Sequence, residues 1–318
     1  MKIMISGIGS VGGYITSYLC RQQAGHQITA VARGKRLEAL RARGLLLHSE
    51  LLGECVSHPA LVEKPAEAGV QDVIFVCVKN YSLQEALTEL LPCVGEQTIV
   101  VPILNGIDHY AVTRGALSKG QVLDTLIYIY ASGNADFSTN QVGPKVRLCL
   151  AAPEAAAQPA LELVCGLFTA PGIHCVAPED MEAELWMKFI TNCGFNVITA
   201  YYACDVQEIK EHPERLQEYK ALLDEACAVG RAKGVALPAD LAQRQFDRVI
   251  LEGQPHVTSS MAQDVMAGRR IELETFGGVL TRLADELQVP VPVSRRIYEA
   301  MRARMENGRL RLPAKREA

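Results

Sequence analysis

The chain has no C-x-x-C pair, although it carries ten cysteines. Cys20, Cys55, Cys77, Cys93, Cys149, Cys165, Cys175, Cys193, Cys204 and Cys227 fall mostly inside apolar runs, where thiols serve as small core residues of a protein kept in a reducing compartment. That usage argues against zinc sites and disulfide frameworks, and no metal is expected in the chemistry. A long hydrophobic run is also missing. The longest apolar stretches, such as residues 73–78 and 99–104, fall far short of the ~20 residues that cross a bilayer. The N-terminus enters a glycine turn without an apolar segment and small-residue cleavage site, so no secretion signal is expected and the cytoplasm is the expected location. Charge of one sign is scarce too. Thirty-six acidic against 32 basic residues, well mixed, leave a formal charge of −4 and no basic stripe for nucleic acid or an anionic membrane. The only basic bias is the tail from Arg309 to Arg316. Internal repeats and a Ser/Pro/Gly-rich linker are absent as well.

What remains is an ordinary globular composition, too long for one core. Hydrophobic content of 49% and charged content of 21% exclude disorder. A chain of 318 residues exceeds the roughly 250–300 at which a single core stops growing, so two domains are expected. To about residue 175 short apolar runs alternate with helical or turn segments: residues 2–6, 28–32, 73–78, 98–104, 122–130 and 146–150. Their unbroken apolarity suits strands covered on both faces. From residue 179 the pattern becomes helical, over 179–204, 213–233, 239–251, 259–267, 273–288 and 293–307, with breaks at Gly234, Gly253, Gly268, Pro290 and Gly308. The expected fold is α/β: a Rossmann domain over 1–176 followed by an all-helical domain over 177–318.

Gly7-Ile8-Gly9-Ser10-Val11-Gly12 follows the strand-like Lys2–Ser6 and opens a helical run, which is the context a G-x-G-x-x-G fingerprint needs. Gly7 permits the tight turn, Gly9 admits a pyrophosphate close to the backbone, and Gly12 packs helix on strand. The N–H groups at the helix start then face the phosphates. An NAD enzyme places an acid for the ribose 2′-hydroxyl after its second strand. Here residues 28–32 run into Arg33-Gly34-Lys35-Arg36, with no acid before Glu38. Such cations attract a 2′-phosphate, and one charge-assisted hydrogen bond of about 1.5–3 kcal/mol gives roughly a tenfold to hundredfold preference for NADP(H). The plainer alternative is a solvated charge run opening a helix. Two more strand ends carry polar residues where open α/β sheets bind ligands: Lys79, and Asn105-Gly106.

No charged residue lies between Lys188 and Asp205, so the segment 179–204, with Trp186, Phe189, Ile190, Cys193, Phe195, Val197 and Ile198, must be nearly buried. Lys188, Asn192 and Asn196 recur every four residues and form a polar stripe along one face. Buried polar groups need partners, either an internal network, with Lys188 reaching Glu184, or a ligand. Lysines in apolar surroundings often serve as acids or bases. The run Thr258-Ser259-Ser260-Met261-Ala262-Gln263-Asp264 reads as a helix N-cap, and 269–274 as a polar turn entering a helix.

Taken together, these residues resemble the ketopantoate reductase (2-dehydropantoate 2-reductase) family over nearly the full length. The resemblance rests on the glycine fingerprint, Arg33, Val78-Lys79, Asn105-Gly106, the run Ala183-Glu184-Leu185-Trp186-Met187-Lys188 with Asn192 and Asn196, Ser259-Ser260-Met261 with Gln263-Asp264, and Glu272. It implies a helical second domain like the C-terminal domain of 6-phosphogluconate dehydrogenase. It further implies NADPH-dependent reduction of 2-dehydropantoate to pantoate on the way to pantothenate. Gly7, Ile8, Gly9, Ser10, Val11, Gly12, Arg33, Lys79 and Asn105 would hold NADP(H). Lys188 would stand beside the keto oxygen and Glu272 would be the acid of the site. Asn105, Asn192 and Asn196 would hold the substrate, and Ser260 would meet its carboxylate. Two departures stand out: Ile107-Asp108 where the family commonly has a second glycine shortly after Asn-Gly, and Val197 where it often has proline. A related NADP-dependent dehydrogenase of another 2-keto or hydroxy acid, or a non-catalytic NADP(H) sensor, would share the cofactor features. A sensor has no need of the polar stripe. The partner expected is thus a small 2-keto acid, with neither nucleic acid nor membrane, and apolar helices such as 273–288 also suit a homodimer.

Overall fold

The computed structural model describes residues 1–22 and 25–307, so Gly308 and the basic tail from Arg309 to Arg316 lie outside the described residues. The chain divides into two units, Met1–Met181 and a second from Glu182 onward.

Alternation of side chains along each strand explains why the first unit needs such apolar strands. Eleven strands form there: β1 Lys2–Ser6, β2 Gln27–Val31, β3 Leu45–Ser49, β4 Gly53–Ser57, β5 Ala60–Val62, β6 Val73–Val76, β7 Ile99–Pro102, β8 Gln121–Val122, β9 Asp124–Gly133, β10 Thr139–Ala151 and β11 Ile173–Val176. Six of them build a parallel sheet in the order β5-β2-β1-β6-β7-β8. Ile3, Ile5, Val73, Phe75, Ile99 and Val101 point into one core, and Met4, Ile74, Val76 and Val100 into the other. Both faces are therefore covered, and no polar alternation survives in the sequence. The helix Ser10–Arg21 lays Tyr14, Ile15, Tyr18 and Leu19 on the first face. The helix Leu83–Leu90 lays Leu83, Leu87 and Leu90 on the second, each burial worth about 1.5–3 kcal/mol.

A second, mixed sheet runs β11-β10-β3-β4, with β9 antiparallel to β10. The single strand expected over 122–130 is in fact two: β8 closes the parallel sheet, Leu123 follows, and β9 belongs to the other sheet. The β3/β4 hairpin and β11 were not anticipated, because exposed residues interrupt the apolar runs that mark buried strands.

The second unit is helical: Met181–Tyr202, Val206–Lys210, Pro213–Ala232, Leu241–Ile250, Ser260–Met266, Val279–Glu286 and Pro292–Glu306. Start signals explain the boundaries. Asp205 and Glu208 form a capping box, Ser259 caps with its hydroxyl, and Pro213 and Pro292 open their helices. The helix expected over 273–288 begins instead with a π-helical turn, Glu274–Gly278.

Candidate active site

The carboxyl ends of four parallel strands converge by register. Ser6 pairs with both Val31 and Val76, and Val76 with Pro102, so the residues just beyond them leave the sheet at one edge. Gly7, Arg33, Lys79 and Asn105 all lie there, around the point between β1 and β6 where the strand order reverses. Such a switch point is where open α/β sheets take ligands.

Steric demands define the turn after β1. Gly7 has φ +96°, and a Cβ on it would stand 2.7 Å from the Cys77 carbonyl carbon. One on Gly12 would stand 2.0 Å from the Gly7 oxygen. Gly9 differs, because a Cβ there meets nothing within 4 Å. It is the N-cap of the Ser10–Arg21 helix and supplies no side-chain cap, and the first turn holds no acid. The N–H groups of Ser10, Val11 and Gly12 thus open onto the space beside Gly9, a cradle that fits the pyrophosphate of a dinucleotide.

The cation run after β2 separates in three dimensions. Arg33 is the N-cap of the helix Gly34–Arg43, half exposed, donating from Nε to the Glu63 carbonyl at 3.2 Å and pairing with Glu89. Arg36 instead donates to the Ile8 carbonyl and lies 5.0 Å over the Phe137 ring, where burial lowers its pKa. It braces the glycine turn rather than standing with Arg33. Lys79 and Asn105 are half-buried, and Gly106 takes φ +105°. The two strand ends are linked by Asn80 Nδ2 donating to Asp108 at 3.5 Å.

Sequence reasoning overlooked a pair behind this edge, buried His109 and half-buried Asp124. His109 donates from Nε2 to the Thr125 carbonyl at 2.9 Å and lies 3.6 Å from Asp124. Burial raises the Asp124 pKa from 3.8 to about 6, offset partly by the Thr125 N–H. Position right after the Asn105-Gly106 turn was the only signal that could have flagged His109.

In the second unit the Met181–Tyr202 helix buries Trp186, Phe189, Ile190, Cys193, Val197 and Ile198 almost completely. Lys188 and Asn192 are half-buried, and Asn196 is buried. Asn196 Nδ2 donates to Asn192 Oδ1 at 2.9 Å, while Asn196 Oδ1 accepts from the Ser260 hydroxyl at 3.2 Å and the Met261 N–H at 3.1 Å. Asn192, Asn196 and exposed Ser260 therefore form one hydrogen-bonded ladder, with Lys188 one turn away on the same helical face. A second strut, also missed in the sequence, joins Thr199 Oγ1 to Ser259 Oγ at 2.7 Å while Ser259 caps Ala262. Only the i+3 spacing of Thr199 from Asn196 hints at it. Glu272 is buried just before the π-helical turn, whose Phe276 carbonyl accepts the Cys193 thiol at 3.9 Å. Asp264 pairs with Arg269 at 2.7 Å. Among the described residues no cluster of His, Cys, Asp and Glu could hold a metal, and no helix is long and apolar enough to cross a membrane.

A reversing parallel sheet with a glycine cradle, followed by a helical unit, is the architecture of a dinucleotide-binding protein. Residues 3–152 match the family described as Ketopantoate reductase PanE/ApbA, and residues 180–305 its C-terminal counterpart, so the chain belongs to the ketopantoate reductase family, oxidoreductases that use a nicotinamide cofactor and act on CH–OH donors. A 2-dehydropantoate 2-reductase of Mesorhizobium japonicum is 27% identical, covering 92% of this chain and 94% of its own. The crystal structure of a PanE/ApbA family ketopantoate reductase from Ralstonia eutropha superposes with TM-score 0.87 at 26% identity, covering 97% and 99% of the two chains. The ternary structure of D-mandelate dehydrogenase with NADH and anilino(oxo)acetate reaches the same TM-score at 16% identity, covering 97% and 99%, a likeness of fold alone.

Proposed function

We propose that this protein reduces 2-dehydropantoate to pantoate with NADPH, as a step towards pantothenate. The observation that carries the reading is the ladder of Asn192, Asn196 and Ser260 beside Lys188, a polar face on a helix otherwise sunk in apolar core. Polar groups in such a setting are expensive unless they serve a ligand or one another, and here a cation and several donors converge on the needs of a 2-keto acid.

When bound, the dinucleotide supplies a hydride to the keto carbon. Lys188 places positive charge and a proton at the keto oxygen, where negative charge develops. Ser260 turns its one hydroxyl proton from Asn196 to the carboxylate, and Asn192 and Asn196 orient the chain of the substrate. Glu272 orders Lys188 or takes a substrate hydroxyl. Gly7, Gly9 and Gly12 shape the pyrophosphate cradle, with the amides of Ser10 and Val11 and the Ile8 turn braced by Arg36. Lys79 and Asn105 meet the cofactor where β6 and β7 end.

Arg33 sets the choice of NADPH. Its bridge to Glu89 is exposed and worth about 0–1 kcal/mol. A charge-assisted hydrogen bond to a 2′-phosphate is worth about 1.5–3 kcal/mol, so the phosphate displaces the carboxylate. Arg33→Asp should raise the NADPH dissociation constant at least tenfold while barely moving that of NADH; equal changes in both would remove Arg33 from the assignment.

The D-mandelate dehydrogenase fold and the departures at Ile107, Asp108 and Val197 favour a second reading, in which the same chemistry acts on a different 2-keto acid. A panel of 2-keto acids with NADPH separates them: loss of NADPH absorbance with another acid, and none with 2-dehydropantoate, selects the second.

A further inference from the structure

Two of the ten thiols face each other, and neither is among the residues assigned above. Cys165 lies in the last turn of the helix Gln158–Gly166 and Cys175 in β11, and their sulfurs are 3.0 Å apart. A disulfide bond is roughly 2.03–2.05 Å long, so closure asks for about 1 Å of movement. Both residues are partly exposed, whereas Cys77, Cys93, Cys149, Cys193, Cys204 and Cys227 are buried.

The surrounding frame holds the pair in place. The helix lies in the crossover joining β10 to parallel β11, where Leu148 is opposite Cys175. The return between them is pinned to the Ser10–Arg21 helix: the Tyr18 hydroxyl accepts the N–H groups of Thr169 and Ala170 at 2.9 and 3.2 Å, and the Tyr18 ring stacks on Phe168 at 5.3 Å. The two sulfurs also differ in character. Cys175 donates its S–H to Cys165, which pulls the Cys165 thiol below its ordinary range, while that bond and burial push Cys175 upward. A nucleophilic sulfur thus sits beside a resolving one. The partly exposed Cys20 and Cys55 lack this asymmetry, since burial raises both.

We propose that Cys165 and Cys175 form a dithiol site that hydroperoxides oxidise reversibly to an intramolecular disulfide. The Cys165 thiolate attacks the terminal peroxide oxygen, the O–O bond breaks, and the departing alkoxide or hydroxide takes a proton, leaving a sulfenic acid. The Cys175 sulfur then attacks the Cys165 sulfur, the S–O bond breaks, and water leaves with the second proton. Two thiols lose two electrons and the peroxide gains them. A dithiol reductant reverses the reaction by exchange.

The test is brief exposure of the intact protein to hydrogen peroxide, then denaturation and thiol titration. Titratable thiols should fall from the ten in the sequence to eight (ten minus the two joined) with the mass of two hydrogens lost. Peptide mapping should join Cys165 to Cys175, and dithiothreitol should restore all ten. In Cys175→Ser the sequence should halt at a sulfenic acid on Cys165, trapped by dimedone. Ten thiols surviving in the wild-type protein, or a first disulfide that joins any other pair such as Cys20 and Cys55, overturns the proposal, and neither readout depends on a variant.

Discussion

The glycine turn of the first unit and the amide ladder of the second both present polar groups from an apolar frame, by opposite means. At the turn, side chains are kept out: Gly7 and Gly12 have backbone where a Cβ would go, and Gly9 has open space. On the Met181–Tyr202 helix, side chains commit to one another, and Asn196 uses its oxygen twice and its nitrogen once within the protein. The first arrangement is vulnerable to added atoms, the second to removed ones. The first is also a matter of backbone, set by glycine spacing between a strand and a helix, while the second depends on side-chain partners in a distant segment.

The sharpest division between the regions comes from Lys188→Ala. It should lower kcat by roughly 10²–10⁴-fold with no change in the NADPH dissociation constant, measured by fluorescence titration; a parallel loss of cofactor binding would break the separation drawn here. Next in size is Gly9→Ala. The backbone at Gly9, φ −87° and ψ −156°, suits any residue and no atom is close, so thermal stability should hold. The methyl group would occupy the pyrophosphate approach, and losing one charge-assisted contact of about 1.5–3 kcal/mol should weaken NADPH at least tenfold. Gly12→Ala, by contrast, should lower the melting temperature as well, since its methyl meets the Gly7 carbonyl.

Asn196→Ala should be smaller and of the opposite kind. It strands the buried Met261 N–H, costing about 1–3 kcal/mol of stability in denaturant unfolding, and should leave NADPH binding alone. Asp124→Asn, behind the first edge, acts through pH rather than through binding. Burial raises the folded-state pKa of Asp124 to about 6, so its contribution to stability is full below about pH 4 and is lost as pH rises through 6. The variant should therefore gain stability relative to the wild-type protein between about pH 4 and 6 and hold a constant margin above, as thermal melts across that range would reveal. A flat difference would mean that His109, 3.6 Å away, already compensates the charge.

How much of this was legible in the sequence follows the same division. β1 was bounded to the residue because an unbroken apolar run ends at a glycine, and β2, β6 and β7 differ from expectation by a few residues at their ends. Of the mixed sheet, β9 and the second half of β10 were legible as apolar runs, while β3, β4 and β11 escaped because exposed residues interrupt their apolarity. The spacing of Lys188, Asn192 and Asn196 was visible as a stripe. That Asn196 binds Ser260 and Met261, sixty-odd residues on, was not, because nothing local encodes it. Arg36 illustrates the limit most plainly. It read as one of three cations for a phosphate, yet it reaches back to Ile8, a carbonyl that carries no signature in the sequence.

Leu123 carries a further consequence. This one buried residue is all that separates β8, in the parallel sheet, from β9, in the mixed one. A strand shifted by one position turns every side chain to the opposite face. An insertion or deletion at this seam would therefore invert β9 against β10, so related chains should vary freely in length at their hairpin tips but keep a fixed count of residues here.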